Sequence, residues 1–310
     1  MLHEGVFYRK SKTIPFIGEY VALIRNSNRF AYSNDAVTWY DDFLPTIEDW
    51  SSICYGDNKF VAVARNTDTM IYTSSSTGWS IGTMPTVADW VLVRYGNGNF
   101  IAVADDGQTA LSVDGVNWVS GGNLGYSGTR VLLYLNGVGL DSFVTWSVQS
   151  GRIMRTNNAG VTWSGVGNSQ AGTSYVNCGA DIAPYSRYTF VRPNYVNTGG
   201  IAYFSYTGSM GSGNFNASSI DMVFVNPTAV MICTNGNVYH STTGTSFSLV
   251  GTLPLTSNDW KALIYGVNSA KYVAIAKDNT NVAAYSSDGL NWTQTQMPFN
   301  GEWFVIAAKT

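Results

Sequence analysis

At 310 residues the chain exceeds the usual length of one domain, yet closed all-β folds reach this size as single domains, so length forces no division. Charged residues make up 12%, the formal net charge is −3, and no Lys/Arg run offers a phosphate track, which excludes a nucleic-acid binder of the usual basic kind. Cys54, Cys178 and Cys233 stand far apart, with no CxxC and no neighbouring histidine, so neither a zinc site nor a disulfide framework is expected. They read as small buried apolar residues, and no metal or cofactor is expected.

The first residues lack the apolar run of a secretory signal, so folding in a cytoplasm is the expectation. No stretch approaches the roughly 18 apolar residues of a membrane span. Residues 1–17, with Arg9-Lys10-Ser11-Lys12, fall outside the repeat and read as a docking arm or an irregular outer segment; residues 18–310 read as one domain.

From there the chain repeats at intervals of roughly 40 residues, the spacing of propeller blades. The clearest copy runs from Asp89-Trp90 through Tyr95-Gly96-Asn97-Gly98 and Phe100-Ile101-Ala102-Val103-Ala104 to Ser112-Val113-Asp114-Gly115 and Trp118. Asp49-Trp50, Tyr55-Gly56 and Phe60 to Ala64 repeat it earlier, and Asp259-Trp260, Tyr265-Gly266 and Tyr272 to Ala276 repeat it late. Each unit predicts four short strands. Phe100, Ala102 and Ala104 fall on one strand face, Ile101 and Val103 on the other, and both faces are apolar because blades stack on either side. The Tyr-Gly-Asn-Gly and Ser-x-Asp-Gly segments supply the positive-φ positions that tight hairpins need.

An aromatic closes each unit: Trp39, Trp79, Trp118, Trp163, Phe215, Phe247 and Trp292. Seven closures predict seven blades, with six or eight following if Phe215 or Phe247 is not a closure. Gly301 to Ala308 matches a first strand with nothing after it, whereas Tyr20 to Ile24 begins as a second strand. Pairing them completes one blade and leaves no open edge. The expected fold is thus an all-β, seven-bladed β-propeller closed by its N- and C-terminal strands.

The turn before the closing aromatic resembles that of the Asp-box propellers, the bacterial neuraminidase repeat, whose pattern is Ser/Thr-x-Asp-x-Gly-x-x-Trp. Thr156 to Trp163 matches it with Asn158 in the Asp position, and shorter forms run from Ser112 to Trp118, Ser286 to Trp292 and Ser33 to Trp39. The resemblance covers nearly the whole chain, and its motif is structural. The Tyr-Gly-x-Gly-x-Phe-x-Ala-Val variant looks most like propellers of bacteriophage structural proteins.

Sialidases of that family clamp a carboxylate with three arginines and use a Tyr/Glu pair with an acid, a constellation that cannot be placed here. Phe190-Val191-Arg192-Pro193 has the wrong order for the family's signature, and only four glutamates exist. No catalytic residue is assigned, and His240 reads as a packing or surface residue. The residues that begin the first strands, Asp49, Asp89, Asp259 and Glu302, form an expected acidic arc on one face, opposed by Arg130, Arg187 and Arg192; the plainer reading has each acid accepting backbone amides. Tyr185, Tyr188 and Tyr195, in the unit that departs most from the repeat, are the candidate sugar platforms. The expected function is a non-enzymatic bacteriophage surface component, in a tail fibre, tail tip or capsid decoration, that binds other virion proteins or a host glycan. A glycan-active hydrolase and a cellular scaffold propeller are the alternatives.

Overall fold

The computed structural model describes residues 18–74, 78–137, 140–147, 149–168, 179–182, 187–192, 199–205, 210–215, 219–225, 227–233, 235–243, 246–254, 260–277 and 280–309. Of these, residues 74, 135–137, 140–141, 167–168, 179–182, 187–192, 199–205, 210–215 and 219–220 are described by their backbone alone. The N-terminal arm assigned to residues 1–17, the whole of Asp259, Tyr185 and Tyr195, and the side chains of Arg187 and Tyr188 lie outside this description.

Strand pairing yields seven four-stranded antiparallel sheets, six of them with side chains described. Numbered in chain order, with blade 1 holding both ends, their inner strands are Trp303–Ala308, Trp50–Gly56, Trp90–Gly96, Thr129–Gly137, Gly179–Ile182, Ser219–Val225 and Trp260–Gly266. Each inner strand contacts that of the next blade, and the seventh contacts the first, so the inner strands ring a central channel. In blade 1 the C-terminal strand pairs with Tyr20–Ile24, Tyr20 opposite Ala308 and Leu23 opposite Val305.

The two-sided strands pack as their alternation requires. Phe100, Ala102 and Ala104 join Val61, Val63 and Met70 of blade 2, while Ile101 and Val103 join Leu132 and Phe143 of blade 4. Trp50, Trp90, Trp260 and Trp303 are wholly buried. The Trp50 and Trp303 indoles donate to Ser27 O at 3.0 Å and Thr280 O at 2.8 Å, carbonyls of the preceding blade.

The count of equivalent blades needs correcting. Trp39, Trp79, Trp118, Trp163, Phe247 and Trp292 each stand within one residue of the start of an outer strand. Phe215 is the last residue of its strand, Met210–Phe215, paired with Gly199. Six blades therefore share the closing position, and the sheet between blades 4 and 6 does not; the expectation of seven blades from seven closing aromatics counted Phe215 from the wrong end of its strand.

The turn before the closing aromatic is built alike in four blades. In blade 3 Ser112 Oγ donates to Asp114 Oδ1 at 2.9 Å, and that oxygen accepts the amides of Val116 and Asn117, both at 2.8 Å. Asp35 and Asp288 repeat the arrangement, and Asn158 does so with Thr156 and Thr162. Gly115 completes the blade 3 turn at φ 70°, where a Cβ would meet Val61 and Phe100. Burial alone would raise these carboxyls, but the amides and the Ser, Thr and Asn side chains outweigh it and hold Asp35, Asp114 and Asp288 below the usual range. Their folded values lie below their unfolded ones, so the stability they contribute is present above about pH 4 and is lost as pH falls further. Since Asn158 already builds this turn without a charge, the triple substitution Asp35→Asn, Asp114→Asn and Asp288→Asn should keep the fold and flatten acid unfolding below about pH 4. Circular-dichroism melts between about pH 2 and 5 would show an unchanged slope if the turns carried no such linkage.

Candidate functional site

Antiparallel order puts the loop after each second strand and the loop leading to the next inner strand at the same rim of the channel. On that rim charges pair from blade to blade. Arg25, which follows Tyr20–Ile24 of blade 1, donates Nε and one Nη to the two carboxylate oxygens of Asp49 in blade 2, each at 2.6 Å. Arg65, which follows Lys59–Ala64, reaches Asp89 in blade 3 at 2.9 and 3.0 Å. At the next step the polarity reverses: Asp105, which follows Asn99–Ala104, holds Arg130 in blade 4.

The charged arc expected from the sequence is thereby redrawn. Asp49 and Asp89 are ion-paired rather than amide-bound, and Arg130 is the reversed copy of the same pair instead of an opposing pole. Glu302 stands at the equivalent place before the inner strand of blade 1. Arg187 and Tyr188 begin Arg187–Arg192, the second strand of blade 5, with Arg187 paired to Ile182 and Ser205. His240 sits between blades, its Nε2 2.9 Å from Gly289 O in the blade 7 turn.

Because the reversed pair occupies the place of the normal one, exchanging its signs should be tolerated. Asp105→Arg or Arg130→Asp alone sets like charges together and is expected to lower stability, whereas the double exchange should recover it, with a coupling of ~1 kcal/mol in denaturant melts. Additive losses would mean that the two side chains do not interact.

Inside the rim, the channel holds side chains that the sequence reading missed. Two cavities, of about 350 and 280 Å³, share Ile53, Leu92, Arg94, Arg130, Asp221 and Ile306 in their walls. The first adds Arg65, Lys261 and Phe304 near the rim, and the second adds Tyr55, Tyr95 and Leu133 further along the strands. Arg94 donates to Val93 O at 2.9 Å and, unlike Arg25, Arg65 and Arg130, makes no ion pair among the described residues. Lys261 lies 4.2 Å from the centroid of the Phe304 ring.

Asp221 follows the bulge in its inner strand, where blade 2 carries Ser52. Ser52 Oγ accepts the Val93 amide of blade 3 at 3.1 Å, and Asp221 Oδ2 accepts the Leu263 amide of blade 7 at 2.8 Å. Both positions thus tie one blade to the next, but only Asp221 brings a charge. Burial pushes its carboxyl up to about 6, against the opposing pull of the Leu263 and Met222 amides, Arg94 and Lys261. A raised folded value favours the protonated form, so the stability gained is fully present below about pH 4 and is lost as pH rises through about 6. Asp221→Ser, which copies the Ser52 arrangement of blade 2, should keep the blade contact and remove this slope; a wild-type melting temperature independent of pH between about 4 and 7 would refute the linkage. Cys54, buried in the same wall, has its thiol pushed up to about 12 by burial. Cys54 and Cys233 are both free and buried.

The ring of sheets defines the class of protein, a β-propeller. No family model matches the chain, and no curated protein does. Solved structures that it is similar to include a putative 6-phosphogluconolactonase from Bacteroides uniformis, with TM-score 0.68, 12% identity, and 93% of this chain and 98% of that one covered. A catalytically inactive virginiamycin B lyase from Staphylococcus aureus, solved with quinupristin, gives 0.65 and 8% identity over 80% and 84%. YCF48 bound to a D1 peptide gives 0.61 and 14% identity over 81% and 84%. Identities this low establish the propeller fold alone.

Proposed function

We propose that the protein is a non-enzymatic binding propeller, a surface component of a bacteriophage particle that attaches to other virion proteins or to a host glycan. The observation that carries the binding reading is the rim, where Asp49, Asp89 and Asp105 are each fixed to a guanidinium of the adjoining blade. Such a wall presents a set pattern of charge to a partner, which suits recognition better than proton transfer. The phage setting rests on the Tyr-Gly-x-Gly-x-Phe-x-Ala-Val variant and on a composition poor in charge with 32 glycines. The finer kinship with Asp-box propellers rests on the Ser-x-Asp turns and belongs to the same proposal.

One observation favours a second reading, a glycan-active hydrolase: Asp221 stands in the wall of a cavity, where burial pushes its carboxyl up to about 6, toward the range of a general acid. A broad glycan panel, read for retention and for mass-resolved hydrolysis, separates the two. Retention without cleavage is the expected result. Cleavage abolished by Asp221→Ser would replace the binding reading with the enzymatic one, and silence in both channels would remove the glycan and leave attachment to virion proteins.

A further inference from the structure

Further along the channel than the rim pairs, the cavity of about 280 Å³ has three charged residues among its described walls, Arg94, Arg130 and Asp221. Arg130 is already held by Asp105. Arg94 and Asp221 are opposite in sign and border the same space, yet no ion pair joins them, since Arg94 extends from blade 3 and Asp221 from blade 6. Arg94 spends one donor on Val93 O, and a guanidinium has others to offer. Each Asp221 oxygen accepts a single backbone amide, from Met222 at 2.9 Å and from Leu263 at 2.8 Å, which leaves lone pairs over. Charges taken out of bulk water are costly unless each finds a partner, and here the two partners stand apart. Most of the remaining wall is apolar, with Ile53, Leu92, Leu132, Val223 and Ile264 beside the Tyr55 ring. Lys261 is not in this wall; it lies against the Phe304 ring nearer the rim.

Resting on the reading of the protein as a binder, we infer that this inner cavity is a site for a free α-amino acid with an apolar side chain, of the leucine, methionine or phenylalanine kind. Arg94 takes the carboxylate, for which a planar guanidinium supplies paired donors. Asp221 takes the ammonium, whose hydrogens need acceptors and find them in the unused lone pairs. The side chain lies along the aliphatic wall, where burial removes it from water. The space falls at the lower edge of small-molecule sites, which begin at ~300 Å³, so it holds one amino acid rather than a peptide or an oligosaccharide. An anion without an ammonium leaves Asp221 unsatisfied, and an amine without a carboxylate leaves Arg94 so; the cavity therefore selects for both charges at once.

The test is calorimetric titration of the full chain at neutral pH with leucine, methionine and phenylalanine. Glycine, 4-methylpentanoate and 3-methylbutylamine serve as comparisons, since they lack in turn the side chain, the ammonium and the carboxylate of leucine. The three larger amino acids are expected to bind at one site per chain. Leucine should bind about ten-fold or more tightly than 4-methylpentanoate or 3-methylbutylamine, the worth of one charge-assisted hydrogen bond in either case, and exceed glycine by a similar factor through its buried side chain. Arg94→Met and Asp221→Ser should each weaken leucine about ten-fold or more. If Arg94→Met fails to fold, Asp221→Ser, which copies the Ser52 arrangement of blade 2, is read in its place. Absence of binding by all three larger amino acids, equal binding of either charge-deleted analogue, or a folded variant that binds leucine as the parent does would each overturn the assignment. Glycan retention without amino-acid binding would sink this site and leave the binding reading standing, whereas leucine binding lost in Asp221→Ser supports the site whatever the glycan panel shows.

Discussion

Gly96→Ala is expected to cost about 3 kcal/mol, the upper end of what overpacking a core imposes, because the added methyl has nowhere to go. A Cβ at Gly96 would lie 2.1 Å from Cγ of Tyr134, the ring that blade 4 lays against the end of the blade 3 inner strand. Gly56 stands in the same relation to Tyr95, at 2.0 Å. The obstacle is the root of an aromatic ring, so neither a rotamer change nor a flexible tip can relieve it. Tyr134 also packs on Phe143, with centroids 5.1 Å apart, so it cannot retreat without opening a second contact. Gly98→Ala is the control: its surroundings are open but its φ is 74°, so only the conformational cost of about 1 kcal/mol applies. Chemical denaturation of both variants measures the contrast, and equal midpoints would show that the Tyr ring does not need the glycine.

This contrast marks where the sequence could be read and where it could not. The Tyr-Gly-Asn-Gly segment predicts a hairpin, and Asn97 and Gly98 do take positive φ, as Asp57 and Asn58 do in blade 2. Gly96 does something local rules cannot reveal, since it makes room for a ring about 40 residues away in the next blade. The apolar faces of Phe100 to Ala104 were legible because alternation within one strand suffices to assign them. The rim pairs were half legible. Asp49 and Asp89 announce themselves by repetition, but their partners Arg25 and Arg65 follow a different strand of a different blade. Only the sign change shared by Asp105 and Arg130 could have linked the two positions. Arg94 and Asp221 carried no signal at all, because the channel exists only when inner strands from distant parts of the chain stand together.

Glu19→Ala is the second large effect, expected to cost about 3 kcal/mol, since hydrogen bonds to a charged group are worth ~1.5–3 kcal/mol and this carboxylate accepts from two amides in a buried setting. Glu19 is 3% exposed and sits at the seam where the last blade meets the first. Its Oε1 accepts the Asn268 amide at 2.7 Å, and both oxygens approach the Ser269 amide, at 3.1 and 3.0 Å. Its backbone carbonyl accepts the Lys309 amide at 2.8 Å, so one residue holds both the blade 7 hairpin and the end of the C-terminal strand. The seam needs this because the usual ring is missing there. Ala308 occupies the place that Tyr95 has in blade 3, and Tyr20 fills the space over Gly266 from the neighbouring strand. The Tyr20 hydroxyl lies 2.6 Å from Ser269 Oγ and donates to Lys271 O at 2.8 Å, and burial raises its pKa. Glu19→Gln keeps an acceptor oxygen and should lose about half as much, so the ordering of parent, glutamine and alanine variants separates hydrogen bonding from mere volume. Hydrogen exchange at Val21 to Leu23 should rise before that of the strands in blades 2 and 3, because the seam is the one place where the ring closes without a covalent link. An alanine variant within ~0.5 kcal/mol of the parent, as at an ordinary surface position, would mean that the paired terminal strands close the ring unaided.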